Sequence, residues 1–427
     1  MKALDALAAM CVRAPDDAYA VATRIDSGGI EVFLSSNHKD GVPSEATKRL
    51  GDVWRHLQIA RLSRAVTALV RQHKAEPAAF RDAPQFTALH RDFITDQYRY
   101  SWTNLKHRAS HDIAIVLNEL QKAMTGSFSD IDVAATPGLT RAPQEHRMGF
   151  LRDLSSALQS FQKQVLECRP DDDLVVLHTS LQGSYEAVQS AICDNPEPEH
   201  RWKRDLLLTL SRCTRVPVRG LVHDAFALVS AITHLTGYCH MRTLSDLLAL
   251  DASVTAIDPV QTAFSIDPRN EDVAERVRDI WEYDDEPDPH VDADYTSGIV
   301  QPLEAKAAQS QHPPADEGFF TNLHPEALLL QEVHQRNGAV AYIGTSGLSC
   351  LGCYRLFEAH NKACEHPFLH QGSHGVPSLS WTVPVLSCSK YKVILYSLRE
   401  QMREDFIHAA RAMYRRRKAE RRVQSVQ

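Results

Sequence analysis

Residues 324–361 read HPEALLLQEVHQRNGAVAYIGTSGLSCLGCYRLFEAHN and combine metal-binding side chains with a strongly apolar segment. His324 and Glu326 stand at the start of one helical pattern, and Cys350 and Cys353 stand at the start of another. A short apolar run separates the two patterns. Polar groups at element termini inside an apolar stretch are typical of a preorganised site that a rigid core supports.

The first helical pattern is PEALLLQEVHQRN. Proline suits the first turn of a helix, so Pro325 is expected to open it and to keep the preceding His324 extended. Glu326 then lies in the first turn. The pattern stops at Gly338, a residue that commonly follows a helix C-terminus.

The run AVAYIGT, residues 339–345, has the length and apolar character of a strand that is buried in a parallel arrangement. This strand returns the chain to the edge where the first helix began. Cys350 and Cys353 open the second helix, whose dipole lowers the pKa of thiols in its first turn. The two thiolates and His324 can therefore converge on one metal ion, which leaves a fourth position open as in catalytic zinc sites.

Such a metal site predicts hydrolytic chemistry. Zinc lowers the pKa of a bound water toward neutrality, which produces hydroxide for attack on an electrophilic carbon. Glu326 is two residues from the ligand His324 and is not needed as a ligand itself. It is therefore the expected proton shuttle between water and substrate.

The same residues resemble a known family. HPE at residues 324–326, followed by CLGC at residues 350–353, resembles the HxE and CxxC signature of the cytidine deaminase-like zinc deaminases. The fuller match of HPEALLLQEV, YIGTSGLSCLGCYRLFEAHN and GSHGVPSLSWTVP resembles a predicted deaminase branch found largely in fungi. It covers the last quarter to third of the chain.

This resemblance implies an α/β C-terminal domain, with a mixed sheet flanked by helices. It implies Zn²⁺ as cofactor, with His324, Cys350 and Cys353 as ligands and Glu326 as proton shuttle. The implied reaction removes an amine hydrolytically as ammonia from a cytosine or adenine type of base, in a nucleoside, nucleotide or nucleic acid. Members of this superfamily often associate, so a homo-oligomer is also considered.

Four residues near the metal ligands are candidates for contact with the substrate. Ser349 stands where many members of the family have proline, and it adjoins the expected substrate loop. The GSHG and WTVP segments offer a histidine for hydrogen bonding and an aromatic ring, which either stacks on a base or packs within the protein. The candidates are Ser349, Ser373, His374 and Trp381.

An alternative uses the same cysteines structurally. Cys350 and Cys353 could join Cys364 and one nearby histidine in a closed zinc knuckle that only holds the fold together. The protein would then be a non-catalytic interaction protein, and Glu326 would be an ordinary acid in a first helical turn. The histidines available for such a knuckle are His366, His370 and His374.

The composition is that of an ordinary globular protein. The chain has 427 residues and a net charge of -7, which excludes an electrostatic nucleic-acid binder as a whole. Its nine cysteines are scattered, which favours a reducing compartment, cytoplasmic or nuclear. The first residues, MKALDALAAMCVRAPDD, interrupt their apolar run with Asp5 and do not predict a signal peptide.

Three parts are expected along the chain. Residues 1–282 form a large mainly α-helical N-terminal region, because apolar residues there recur every three or four positions. Residues 283–318 are an acidic, proline-containing linker with a first strand at TSGIVQPL, and residues 319–427 are the zinc deaminase-like domain. The apolar stretch from Gly220 to Cys239 contains His223, Asp224 and His234, which favours a buried helix over a membrane span.

A basic C-terminal segment and a pair of histidines each allow a functional and a structural interpretation. A helical pattern runs from Ile394 into a basic tail, which either contacts nucleic-acid phosphates or is simply solvated. His107 and His111 lie one helical turn apart, but a third metal ligand is not evident there, which favours a surface or hydrogen-bonding role. The tail residues with the densest charge are Arg415, Arg416, Arg417 and Lys418.

Overall fold

The computed structural model of this protein describes residues 2–26, 28–72, 84–125, 144–192, 201–214, 216–238, 247–264, 319–334, 336, 338–376 and 381–424. Among the helices of these stretches, none combines the length and apolar character that crossing a bilayer requires. The stretch from Gly220 onward lies in a helix whose apolar residues are buried within the protein, as the sequence predicted.

Helices make up most of the described chain, and strands are short. In chain order the helices are α1 (Lys2–Ala9), α2 (Ser44–Gln72), α3 (Pro84–Tyr100), α4 (Trp102–His107), α5 (Ile113–Met124), α6 (Gln144–Glu167), α7 (Leu174–Ile192), α8 (Arg201–Thr214), α9 (Val218–Tyr238), α10 (Pro325–Val333), α11 (Leu351–Ala363) and α12 (Tyr391–Gln424), with a π-helical turn at Arg108–Asp112. The strands are β1 (Tyr19–Asp26), β2 (Gly29–Ser36), β3 (Ala252–Ala256), β4 (Gln261–Phe264), β5 (Phe319–Asn322) and β6 (Gly344–Thr345).

The main sheet is mixed and has the strand order β3-β2-β1-β6. β1 and β2 form an antiparallel hairpin, β3 runs parallel to β2, and β6 runs antiparallel to β1. The hairpin turn is stabilised by Asp26, whose Oδ1 accepts hydrogen bonds from the backbone N–H groups of Gly28 and Gly29 at 2.8 and 3.1 Å. Because β1 pairs both with β2 and with β6, the sheet joins strands that are far apart in the sequence.

Alternation along the hairpin divides the protein into two hydrophobic cores. Successive side chains of a strand point to opposite faces. Ala20, Ala22 and Phe33 face a core that is completed by α10, α11 and α12. Val21 and Val32 face the other core, which contains α1 and the helices of the N-terminal region. The sheet is thus buried on both faces.

The helices of the N-terminal region pack around α9, which contacts α1, α5, α7 and α8. Phe226 and Val229 of α9 are fully buried. α1 lies between α9 and the sheet, and it approaches β6 so closely that a Cβ on Gly344 would be 2.2 Å from the backbone of Leu4. Asp5 of α1 also accepts hydrogen bonds from the Tyr342 hydroxyl and, at 3.0 Å, from the Thr345 N–H group.

The predicted fold class is confirmed, because a mixed sheet flanked by helices adjoins a large mainly helical N-terminal region. Three strands of this sheet, β1, β2 and β3, precede the His324 helix in the sequence. The segment directly before His324 contains β5, which pairs with β4 in a separate two-stranded sheet. TSGIVQPL and the acidic linker lie outside the described residues. The domain boundaries at 282 and 319 stay predictions.

The run at residues 339–345 differs from the regular parallel strand that its composition predicts. Its ladder covers only Gly344 and Thr345, and its partner β1 is antiparallel. Tyr342 makes an isolated parallel bridge to Leu369 instead. The cause is local: the Tyr342 N–H group donates to the carbonyl of Val340 at 2.7 Å, a tight turn that interrupts extended pairing.

Candidate metal centre and cavity

His324 is placed by the start of α10. It is the residue before the helix, with an extended backbone (φ -61°, ψ 144°), and Pro325 follows it in the first helical position. The proline ring enforces this arrangement, since it disfavours helical angles in the preceding residue. The imidazole is therefore carried on a rigid element terminus, as the sequence predicted.

The two cysteines are placed by the start of α11. Cys350 precedes this helix with an extended backbone, and its sulfur accepts a hydrogen bond from the Cys353 N–H group at 3.4 Å. Cys353 lies in the first turn. Their exposed fractions are 5% and 0%, so both thiols are inside the protein.

The three side chains meet. One donor atom each of His324, Cys350 and Cys353 lies within 4.8 Å of the others, and Cys350 Sγ is 3.5 Å from His324 Nδ1. In a tetrahedral zinc site a sulfur ligand and a nitrogen ligand are about 3.6 Å apart, given Zn–S and Zn–N bonds of about 2.3 and 2.0–2.1 Å. Thiolate and imidazole are also donors that suit zinc. The arrangement, called the metal centre below, therefore fits the ion.

The surroundings of Cys350 and Cys353 shift the pKa values of the two thiols in opposite directions. A hydrogen bond from Cys353 and the neighbouring His324 lower the pKa of Cys350 to about 5. Burial raises the pKa of Cys353 well above its ordinary value. The two thiols therefore differ in how readily they lose their protons. A metal ion binds thiolates and displaces thiol protons, so its affinity here depends on pH.

Trp381 packs against the start of α11 and contacts Cys353. Its indole Nε1–H group donates to Cys353 Sγ at 3.2 Å. The ring also lies against Gly352, where a Cβ would be 2.5 Å from an indole carbon. A hydrogen bond to a ligand sulfur stabilises the thiolate and fixes its orientation. The structure therefore places Trp381 against a candidate metal ligand, which agrees with the packed alternative for this ring.

Glu326 faces the same place from the first turn of α10. Only 7% of its surface is exposed, and it lines a cavity together with His324 and Cys350. Its charge acts on both of these ligands and on His374. A carboxylate held beside a metal site and open to a cavity is suited to proton transfer.

The cavity measures about 790 Å³ and extends from the metal centre to the helical region. Ligand pockets are commonly of this size. Arg108 of the π-helical turn and Asp224 of α9 line it on the side of the helical region, called the far wall below, and Lys39 of the segment between β2 and α2 lines it too. The helical region and the metal ligands therefore share one cavity.

His374 is the one of the four substrate-contact candidates that the structure places in the cavity lining. Burial lowers its pKa, so the ring is neutral at neutral pH. Its Nδ1 accepts a hydrogen bond from the Val376 N–H group at 3.2 Å. The ring proton is therefore on Nε2, which can donate to a substrate.

Ser349 and Ser373 are engaged within the protein. Ser349 is 2% exposed and pairs with Ser373 in a parallel bridge, and its Oγ lies 3.4 Å from His370 Nδ1. The Ser373 carbonyl accepts a hydrogen bond from Arg219 Nη1 at 2.6 Å. These contacts fix the loop that carries His374, which is a role in positioning.

The closed zinc knuckle does not match this geometry. Cys364 follows the last residue of α11, whereas Cys350 and Cys353 begin that helix. Eleven helical residues span about 16 Å, which is far beyond the reach of one ion. The Cys364 thiol instead interacts with Cys388. The candidate ligands that the structure brings together are His324, Cys350 and Cys353, the set expected for an open site.

Sequence reasoning missed the far wall of the cavity. Asp224 lies against the loop before Cys350, since a Cβ on Gly347 would be 2.8 Å from its Oδ1. Its carboxylate interacts with His223 at 3.2 Å and with Arg108 at 3.9 Å. The available signal was an aspartate inside the apolar helix pattern that begins near Gly220. That signal argued against a membrane span, but nothing in it indicated the metal centre.

Comparison with known proteins adds one positive finding. A family model described as "OTT_1508_deam:-like deaminase" matches residues 323–385. This range includes all three candidate metal ligands and Glu326. No curated protein and no solved structure matches the chain significantly. The C-terminal part of this protein therefore contains a segment that is similar to a deaminase family.

Proposed function

We propose that this protein is a zinc-dependent hydrolytic deaminase that acts on a nucleobase of the cytosine or adenine type. One observation carries the proposal: His324, Cys350 and Cys353 lie close together, and two of them line, with Glu326, a cavity that is large enough for a nucleoside. The match of the same segment to a deaminase family supports it independently.

The proposed reaction replaces the exocyclic amine of the base with oxygen and releases ammonia. Zinc held by the three ligands would supply a water molecule of lowered pKa as the nucleophile. Glu326 accepts a proton as water adds to the ring carbon and delivers it to the ring nitrogen. It then transfers the second proton of the water to the departing amine, so that one water is consumed and one ammonia is formed.

His374 and the far wall would orient the base. The Nε2–H group of His374 is a donor at the cavity surface, suited to a carbonyl oxygen or a ring nitrogen of the base. Asp224 and Arg108 line the same cavity and offer an acceptor and donors to the base. We propose that these contacts direct the amine of the base toward Glu326.

The base is proposed to be part of a nucleoside, nucleotide or nucleic acid. If the substrate is a polynucleotide, the basic tail at residues 415–418 is the proposed contact for its backbone. The backbone of this tail belongs to α12, whose side chains from residue 408 onward are outside the described set. A base in a polynucleotide would have to leave its stack to enter the cavity.

The test combines metal content with ammonia release from cytosine and adenine nucleosides, nucleotides and oligonucleotides. His324→Ala and Cys350→Ser should lose both the zinc of the metal centre and turnover. Cys364→Ser is the matched control, because this thiol is at the far end of α11, and it should retain both.

The opposite pattern would overturn the proposal. Zinc that survives the loss of His324 but not of Cys364 would mean a closed structural site. Zinc that depends on His324 without ammonia release from any member of the panel by the wild type would refute the proposed reaction.

A further inference from the structure

A second group of metal-type side chains lies in the helical region, where α4 ends. His107 is the last residue of α4, and His111 lies in the π-helical turn that follows. Their rings are nearly parallel, with centroids 4.9 Å apart. Two histidines on one helix face are a common basis for metal binding, and π-helical turns occur often at functional sites.

The π-helical turn adds a third donor. Asp112 Oδ1 lies 3.0 Å from His111 Nδ1 and 3.8 Å from His107 Nε2. One donor atom from each residue lies within 4.8 Å of the others. Nitrogen and oxygen ligands of a tetrahedral zinc ion are about 3.3 Å apart, given bonds of about 2.0–2.1 Å. The observed distances lie on either side of this value.

Asp112 is also held in place by a neighbouring side chain. Its second oxygen accepts a hydrogen bond from Arg108 Nη1 at 2.6 Å, and Arg108 Nη2 donates to the carbonyl of Pro15 at 3.2 Å. The Asp112 side chain is 7% exposed, whereas those of His107 and His111 are 39% and 60% exposed. The carboxylate is thus fixed, and both imidazoles are accessible to an ion from solvent.

The charges around this group partly oppose each other. The guanidinium of Arg108 disfavours a cation, but the carboxylates of Asp112 and Asp224 lie 2.6 and 3.9 Å from it and offset its charge. Imidazole and carboxylate donors suit divalent transition metals, zinc among them. The absence of sulfur from this donor set indicates weaker binding than at the metal centre.

We propose that His107, His111 and Asp112, called the surface cluster below, form a second site for a divalent transition-metal ion such as Zn²⁺. The ion would join α4 to the π-helical turn and hold Arg108, which lines the cavity of the metal centre. This inference does not depend on the proposed deaminase reaction.

The test is titration of the metal-free full-length protein with Zn²⁺ and with Co²⁺. The wild type should bind two ions of different affinity. His107→Ala and His111→Ala should each weaken the second ion by more than about 100-fold, because even an outer-shell change at a metal site costs about 10- to 100-fold. His146→Ala, an exposed histidine on α6, is the control and should still bind two.

Cobalt distinguishes the two sites. Thiolate-to-cobalt absorption arises only at the metal centre, so it should persist in His111→Ala and vanish in Cys350→Ser, while Cys350→Ser still binds one Co²⁺ without that absorption. A wild type that binds a single ion, or a second ion whose affinity is unchanged in His107→Ala and His111→Ala, would overturn the proposal.

Discussion

The metal centre and the surface cluster are both triads of close donors, but they are built in different ways. The metal centre takes its ligands from the starts of two helices, α10 and α11, and its two sulfurs are buried. The surface cluster takes all of its donors from residues 107–112, at the end of α4 and in the π-helical turn, and its histidines are partly to largely exposed. The first arrangement needs the whole fold, whereas the second needs only a local turn.

This difference predicts different roles for the two sites, with catalysis at the metal centre and structural support at the surface cluster. Ligands at two helix starts leave one side of the ion open to a cavity that also holds Glu326. In the surface cluster the carboxylate is itself a proposed ligand, so no comparable proton carrier stands beside the ion among the three residues of the cluster. We therefore expect turnover to depend on the metal centre, and the surface cluster to stabilise a wall of its cavity.

The largest expected effect comes from Glu326→Gln. This change keeps the size of the side chain but removes its ability to carry a proton, so turnover should fall by about 10²- to 10⁴-fold. Zinc content should stay unchanged, because Glu326 is not a ligand. The measurement is ammonia release together with metal analysis.

Glu332→Gln provides the control on the same helix. Glu332 pairs with Arg336 on a partly exposed face of α10, away from the cavity. If Glu326→Gln and Glu332→Gln lose turnover equally, Glu326 is not a proton carrier, and the metal centre does not differ from the surface cluster in this respect.

Trp381→Phe should weaken zinc at the metal centre by about 10- to 100-fold. Phenylalanine keeps an aromatic ring against Gly352 but loses the N–H group that donates to Cys353 Sγ. Competition with a chelator measures this loss. Binding at the surface cluster should not change.

Trp202→Phe is the matched control, since this ring packs against Phe150 in the helical region. If Trp381→Phe and Trp202→Phe hold zinc equally well, the hydrogen bond to Cys353 contributes nothing to the metal centre.

Gly344→Ala tests the close packing of α1 on β6, the strand that precedes the Cys350 loop. A Cβ at this position would meet the backbone of Leu4 and Asp5 at 2.2 and 2.5 Å, and overpacking of a core typically costs about 1–3 kcal/mol. Thermal or denaturant unfolding should show that loss.

Gly51→Ala is the control for Gly344→Ala. It lies within α2, where a Cβ would meet nothing within 4 Å, and it should not destabilise the protein. Equal stability of the two variants would mean that α1 does not pack on β6.

The smallest expected effect concerns acid stability of the helical region. Burial lowers the pKa of His178 from 6.5 to about 4. Between these values the unfolded chain binds more protons than the folded one, so stability rises with pH across this window and is lost as pH falls. From pH 7 to pH 5 this histidine should cost about 1–2 kcal/mol.

His178→Asn is the informative variant, because its amide can replace His178 Nδ1 in the 3.1 Å contact with the Tyr98 hydroxyl without titrating. The difference in unfolding free energy between wild type and variant should change with pH below 6.5. A difference that is constant from pH 7 to pH 5 would contradict the neutral, buried state of His178.

The metal centre could be predicted from the sequence because its signals are local. Pro325 and the CLGC segment each define a helix start, and each start fixes its own ligand. The expected convergence of these starts is what the structure shows. Trp381 was singled out too, but its contact with a ligand sulfur depends on how a later loop folds back.

The sheet could not be assembled from the sequence because its pairings are remote. YAVATRID and GIEVFLSS are separated from β6 by about three quarters of the chain. Strand pairing leaves no local signal that identifies the partner, so the sequence near His324 does not indicate β1 and β2. The role of the residues between β2 and β3 as a cavity wall was hidden for the same reason.

Asp112 was missed as a third donor for a different reason. In an ordinary helix, residues four apart share a face, which singles out His107 and His111. Asp112 is five residues after His107 and comes near it only because the turn is π-helical. Such a turn has no established sequence signature, so the cluster became visible in the structure alone.

The most direct test of the metal centre is X-ray absorption at the zinc edge, on protein loaded with one equivalent of zinc. We predict two sulfur ligands at about 2.3 Å and one imidazole nitrogen at about 2.0–2.1 Å, with a light atom from solvent in the remaining position. Three sulfur ligands would mean that Cys364 or another thiol closes the site. A spectrum without sulfur would mean that His324, Cys350 and Cys353 do not hold the ion, and either result would contradict the open metal centre.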